Sequence, residues 1–109
     1  MRTAVIIGAL GLIVWSGGVA FPDQRAPQTH TVTIADMRFQ PERLTVAAGD
    51  TVVWVNSDLV PHTATSKAGG FDSKTIPADT SWRYTVRTKG DLAYECTFHP
   101  GMKATLRVK

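Results

Sequence analysis

The sequence predicts an all-β fold, a Greek-key β-sandwich of seven to eight strands. Three observations predict it. From Thr31 onward, short runs alternate apolar and polar residues with the period of two that places successive side chains on opposite faces of a strand. Gly, Pro, Asn and Asp punctuate these runs at the short intervals of antiparallel sheets. No segment carries an amphipathic helical pattern of about ten residues or more. At 109 residues with 43% apolar composition and no internal repeat, the chain has the size of one globular domain and no bias toward disorder.

Residues 1–20 carry one basic residue, Arg2, then an apolar run from Ala4 to Trp15 and the small-residue ending Gly18-Val19-Ala20. This is the outline of a secretory signal, with cleavage expected after Ala20. An uncleaved anchor is the competing reading, because the apolar stretch approaches the roughly 18 to 20 residues that span a bilayer. Four interspersed glycines and the cleavage pattern favour removal and a periplasmic or otherwise exported protein. Residues 21–30 are polar and contain Pro22 and Pro27 without periodicity, as in a linker; His30 is expected there as a solvated side chain. The remaining domain is expected over 31–109.

Within it, Val32 and Ile34 alternate with threonines, and Leu44 and Val46 alternate with Thr45 and Ala47. Gly49-Asp50 turns the chain into Thr51-Val52-Val53-Trp54-Val55, which is apolar on both faces and reads as a central strand with Trp54 in the core. His62 to Thr65 reads as a short strand, and Ala68-Gly69-Gly70 as a turn before an irregular crossing to Thr80. Trp82, Tyr84 and Val86 share one face. Gly90-Asp91 opens a strand with Leu92, Tyr94 and Cys96 inward, and Ala104, Leu106 and Val108 face inward on the last strand. Met37, between two polar neighbours and Phe39, is expected to pack.

The chemistry concentrates in Tyr94-Glu95-Cys96-Thr97-Phe98-His99-Pro100-Gly101-Met102. A thiol, an imidazole and a thioether lie in one short loop, where Pro100 fixes φ and Gly101 permits positive φ, so that His99 and Met102 can turn back toward Cys96. The chain has a single cysteine, so it cannot form an internal disulfide, and ligation would protect the thiol in an oxidising compartment. Copper suits a thiolate with two imidazoles and a distant thioether. The second imidazole is best supplied by His62, which follows the central strand in Asn56-Ser57-Asp58-Leu59-Val60-Pro61-His62-Thr63. Zinc is compatible with Cys and His, but Met is a poor zinc ligand.

From about Thr31 to Lys109, on this Cys-x2-His-x2-Met spacing and the upstream His62, the chain resembles the cupredoxins, the small blue copper proteins, and within them the amicyanin and plastocyanin branch. The resemblance implies His62 as the upstream imidazole, Cys96 as the thiolate, His99 as the loop imidazole and Met102 as the weak axial ligand of one Cu(I)/Cu(II) ion. It departs from the family pattern at Thr63, where amicyanin and plastocyanin usually carry Asn; hydroxyls or amides of Thr63 and Thr97 are expected to take over that bond. Such outer contacts tune metal sites strongly. The resemblance also implies that His99 lies near the surface as the electron's port.

Four donors leave no open position for a substrate, so the expected role is electron transfer and not enzymatic catalysis. Leu59, Val60, Pro61, Phe98 and Pro100 would rim the site for transient docking of redox partner proteins to a monomeric carrier. A copper-storage or delivery protein is the alternative. A Cys96 nucleophile with His99 as base lacks an orienting third residue, and three histidines are too few for multicopper catalysis. The net charge of +3, or +2 once Arg2 is removed, and the lack of a basic stripe with interleaved aromatics argue against nucleic acid. A mature chain with no disulfide is small for its core, so bound metal should add stability.

Overall fold

The computed structural model describes residues 25–109. The predicted signal and residues 21–24 of the predicted linker therefore lie outside the described residues. Nine strands are present among the described residues, one or two more than expected: β1 (Thr29–Ala35), β2 (Arg38–Gln40), β3 (Arg43–Val46), β4 (Thr51–Asn56), β5 (Thr65–Ser66), β6 (Phe71–Asp72), β7 (Ser81–Thr85), β8 (Gly90–Cys96) and β9 (His99–Val108). They form two sheets, ordered β2-β1-β4-β7 and β3-β9-β8-β5-β6. The two additional strands, β2 and β6, have three and two residues. Such lengths leave little periodicity to read.

The sheets close a sandwich because their inward faces are apolar. Val32, Ile34, Phe39, Val52 and Trp54 from one sheet meet Val46, Phe71, Leu92, Tyr94, Leu106 and Val108 from the other, all buried. Aromatic rings bridge the layers: Tyr94 sits edge-on to Phe39 at 4.7 Å and to Trp54 at 5.5 Å between centroids. Such geometry satisfies the ring quadrupoles as well as burying area. β4 alternates between buried and half-buried residues, so only one of its faces lies fully in the core, whereas the run of apolar residues suggested both.

Topology brings three chain segments to one pole. β1 and β4 run parallel, which puts the β1–β2 turn beside the loop that follows Asn56. That turn is a two-residue hairpin whose Asp36 and Met37 adopt φ of 54° and 59°, the left-handed pairing that matches strand twist. β8 and β9 pair antiparallel, as expected, and their connection reaches the same pole.

The N-terminal end of β1 differs from expectation. β1 begins at Thr29, and His30 is a strand residue held at 2.8 Å from Asp50 Oδ2, not a solvated one. Buried Asp50 also accepts from the amides of Gln28 and Ala47 and from Arg25. Burial alone would raise its carboxyl, but these donors hold it far below the usual carboxylate range. The cluster fastens β1 to the β3–β4 turn at the pole opposite Cys96.

Candidate metal centre

Cys96 ends β8 with its side chain inward and fully buried, as the alternation from Leu92 through Tyr94 requires. A register shift between Glu95 and Cys96 then brings Cys96 opposite His99, the first residue of β9. The turn therefore consists of Thr97 and Phe98, and Pro100 and Gly101 belong to the strand. Gly101 does not take positive φ, contrary to the turn assigned to it from sequence. The ring of His99 is instead returned toward Cys96 by the bulge, and Met102, three residues further along β9, faces inward and is buried.

His62 arrives from the β4–β5 connection. It forms an isolated bridge with Ile76, with His62 N donating to Ile76 O at 3.2 Å and Ile76 N to His62 O at 2.7 Å. This fixes the backbone without the short strand expected from sequence. The preceding loop is shaped by buried Asn56, whose amide donates to the carbonyls of Val60 and Ile76, both at 2.9 Å, and accepts from Asp58 N at 3.0 Å.

The loop so folded delivers Asp58 Oδ2 to His62 Nε2 at 2.8 Å. Asp58 also accepts from the amides of Asp36 and Met37 in the neighbouring hairpin. Burial would raise its carboxyl, yet the Met37 amide, the His62 ring and the Asp36 amide hold it below the usual range. An ionised Asp58 can only accept, so Nε2 carries a proton, and in the neutral ring this leaves the lone pair on Nδ1. That lone pair faces Cys96 Sγ at 3.6 Å.

Sequence reasoning assigned no role to Asp58. Its position four residues before a candidate ligand was the available signal, since imidazole ligands generally lean on a carboxylate.

The donor atoms of His62, Cys96 and His99 all lie within 4.8 Å of one another, and the two imidazole rings are 5.1 Å apart at 59°. His62 and Cys96 are buried, and His99 is half-buried. Residues separated by more than thirty positions thus converge on one small volume with two nitrogen donors and one sulfur.

The model of the family described as "Cupredoxin-like domain" matches residues 5–108. The chain belongs to that family. Among curated relatives, amicyanin-alpha of Methylorubrum extorquens is 34% identical over 92 residues, covering 79% of this chain and 77% of the relative. Amicyanin of Paracoccus versutus is 31% identical over 83 residues; the match takes in 72% of this chain but only 63% of that protein's length. Among solved structures, a Cu(I) form of an amicyanin mutant superposes with a TM-score of 0.68 at 26% identity, covering 74% of this chain and 82% of that one.

Thr63 marks this cupredoxin-like chain's departure from the Asn expected after the upstream histidine, and hydroxyls take over as anticipated. Thr97 N donates to Thr63 Oγ1 at 2.9 Å, while Thr63 N donates to Cys96 Sγ at 3.3 Å. Two backbone amides and the hydroxyls of Thr63 and Thr97 therefore tie the His62 and Cys96 segments together beside the β5–β8 pairing. Around the pole, Leu59 is 95% exposed, Val60 40% and Phe98 48%. Met37, expected to pack, is 42% exposed on the same side of the fold, because the two-residue hairpin turns its side chain away from the core.

Proposed function

We propose that this chain is an exported carrier of single electrons, holding one copper ion through His62, Cys96, His99 and Met102. The observation that carries the reading is the convergence of two imidazole nitrogens and a buried thiol within 4.8 Å. The donor set fits copper, since a thiolate with two imidazoles and a thioether suits that metal better than zinc, for which a thioether is a poor ligand. Bound copper supplies a Cu(I)/Cu(II) couple.

The chain's own residues do the rest. Asp58 and the Ile76 bridge hold His62 in one orientation, and the Thr63 amide holds Cys96, so that neither moves appreciably when charge changes. Rigid donors keep reorganisation small. Buried His62 and Cys96 exclude water, whereas half-buried His99 reaches the surface and serves as the electron's entry and exit. The exposed apolar residues Leu59, Val60 and Phe98 form a rim suited to brief contact with redox proteins. With its donors enclosed, the site offers no position for a substrate, and the chain acts as a carrier rather than an enzyme.

Residues 1–20 act on this reading as the export signal, 21–30 as the linker, and 31–109 as the copper domain. Copper titration followed by absorption and voltammetry tests the proposal. One equivalent should give an intense blue band and a reversible one-electron wave. A colourless complex that releases copper readily would instead favour storage or delivery.

A further inference from the structure

Three threonine hydroxyls form a chain beside the Cys96 sulfur, and their donor directions can be assigned uniquely. Thr65 Oγ1 lies 3.1 Å from Asp72 Oδ1, Thr63 Oγ1 lies 3.0 Å from Thr65 Oγ1, and Thr97 Oγ1 lies 3.2 Å from Thr63 Oγ1. A carboxylate only accepts, so the Thr65 proton goes to Asp72. The Thr63–Thr65 bond must then use the Thr63 proton, and the Thr97–Thr63 bond the Thr97 proton. Every hydroxyl points the same way, toward Asp72. Thr63 Oγ1, with its proton directed at Thr65, presents its lone pairs to both the Thr97 hydroxyl and the Thr97 amide, the latter at 2.9 Å.

We propose that Asp72 is a positioning residue for the sulfur site, acting through this oriented chain on the residues that flank His62 and Cys96. Hydrogen bonds aligned in series polarise one another, so a negative charge at the accepting end strengthens each bond behind it. The chain reaches both segments of the site, because Thr63 follows His62 and Thr97 follows Cys96. Asp72 itself is well placed to anchor it. β6 pairs with β5 so that Asp72 stands opposite Thr65, and Asp72 Oδ1 also accepts from Lys74 N at 2.8 Å. Asp72 is thus fixed in position although its side chain is 45% exposed. The proposal rests on the copper reading above only for its electrochemical consequence.

A double-mutant cycle with Asp72→Asn and Thr65→Val separates action through the chain from action through space. Asn keeps an oxygen for Thr65 and for the Lys74 amide while deleting the charge, and Val keeps the shape of Thr while cutting the chain. In the copper-loaded protein, Asp72→Asn should raise the reduction potential, since a nearby negative charge favours the oxidised, more positive site. The rise should largely vanish in the Thr65→Val background. In the metal-free protein, the Thr97 amide proton should move upfield on Asp72→Asn, again only when Thr65 is present. Equal shifts in both backgrounds, in either measurement, would show that Asp72 acts merely as a remote charge and would overturn the proposal. A wild-type protein that binds no copper would defeat the functional reading alone and leave the amide measurement standing.

Discussion

Replacing Asp58 by alanine tests whether the site is held by the chain before any metal arrives. The substitution removes the acceptor of His62 Nε2 at 2.8 Å and of the Asp36 and Met37 amides at 2.8 and 3.0 Å. The two amides belong to exposed residues, so water replaces the carboxylate there at a cost of about 0.5–1 kcal/mol each. The His62 ring is fully buried, and a buried donor without a partner costs about 1–3 kcal/mol. The sum is about 2–5 kcal/mol. Because the Asp58 side chain is 14% exposed, its removal opens a path for water to the ring, which favours the lower end. Even that is a large share of the roughly 4–13 kcal/mol expected for a domain of this size.

Copper affinity should fall as well. Without Asp58 the proton is free to shift from Nε2 to Nδ1, and the ring is free to turn; losing such a partner costs about 10–100-fold in affinity. Urea denaturation of the metal-free protein and competition against a chelator measure the two losses. An Asp58→Ala protein with both values unchanged would refute the account of how His62 is oriented.

Three further outcomes are expected. Cys96→Ser should abolish the intense blue absorption, because the thiolate supplies the charge-transfer band; a spectrum that stays blue would remove Cys96 from the site. Met102→Gln should retain copper and lower the potential, since an oxygen donor favours Cu(II), and voltammetry reads this directly. The metal-free protein should lose stability in acid through Asp50. Its folded carboxyl is depressed, so its contribution is complete above the unfolded value of about 3.9 and is lost as pH falls from there through the folded value. Asp50→Asn should therefore be less stable at neutral pH and show a flatter dependence on pH below about 4, by urea midpoints across that range.

Much of the candidate site could be read in the primary structure because its donors are chemically rare in combination. Cys96, His99 and Met102 lie within seven residues, and no other cysteine competes for the assignment. The same holds for the long strands: the apolar run of β4 marked Trp54 as core, and alternation in β8 and the end of β9 placed Tyr94, Cys96 and Leu106 inward, where they are found. Where alternation had too few residues to act on, it failed, as for the two-residue strands β5 and β6. Pro100 and Gly101 misled for a different reason. Their local preferences favour a turn, but pairing of β9 with β8 and the bulge at Cys96 keeps them extended and moves the turn to Thr97 and Phe98.

Sequence by itself determined which atoms are available to bind and which side of each long strand they occupy, since both follow from residue identity and a period of two. Tertiary structure alone decided how those atoms are held. The carboxylate on His62 comes from a loop clasped to a separate hairpin, and the amide on Cys96 from a residue 33 positions away. So does the threonine chain that ends on Asp72, whose direction emerges only when β5, β6 and the Cys96 turn meet. Hydrogen bonds of this kind depend on distances of a few tenths of an ångström between segments remote in the chain. Composition and spacing do not encode such distances; the packing of two sheets does.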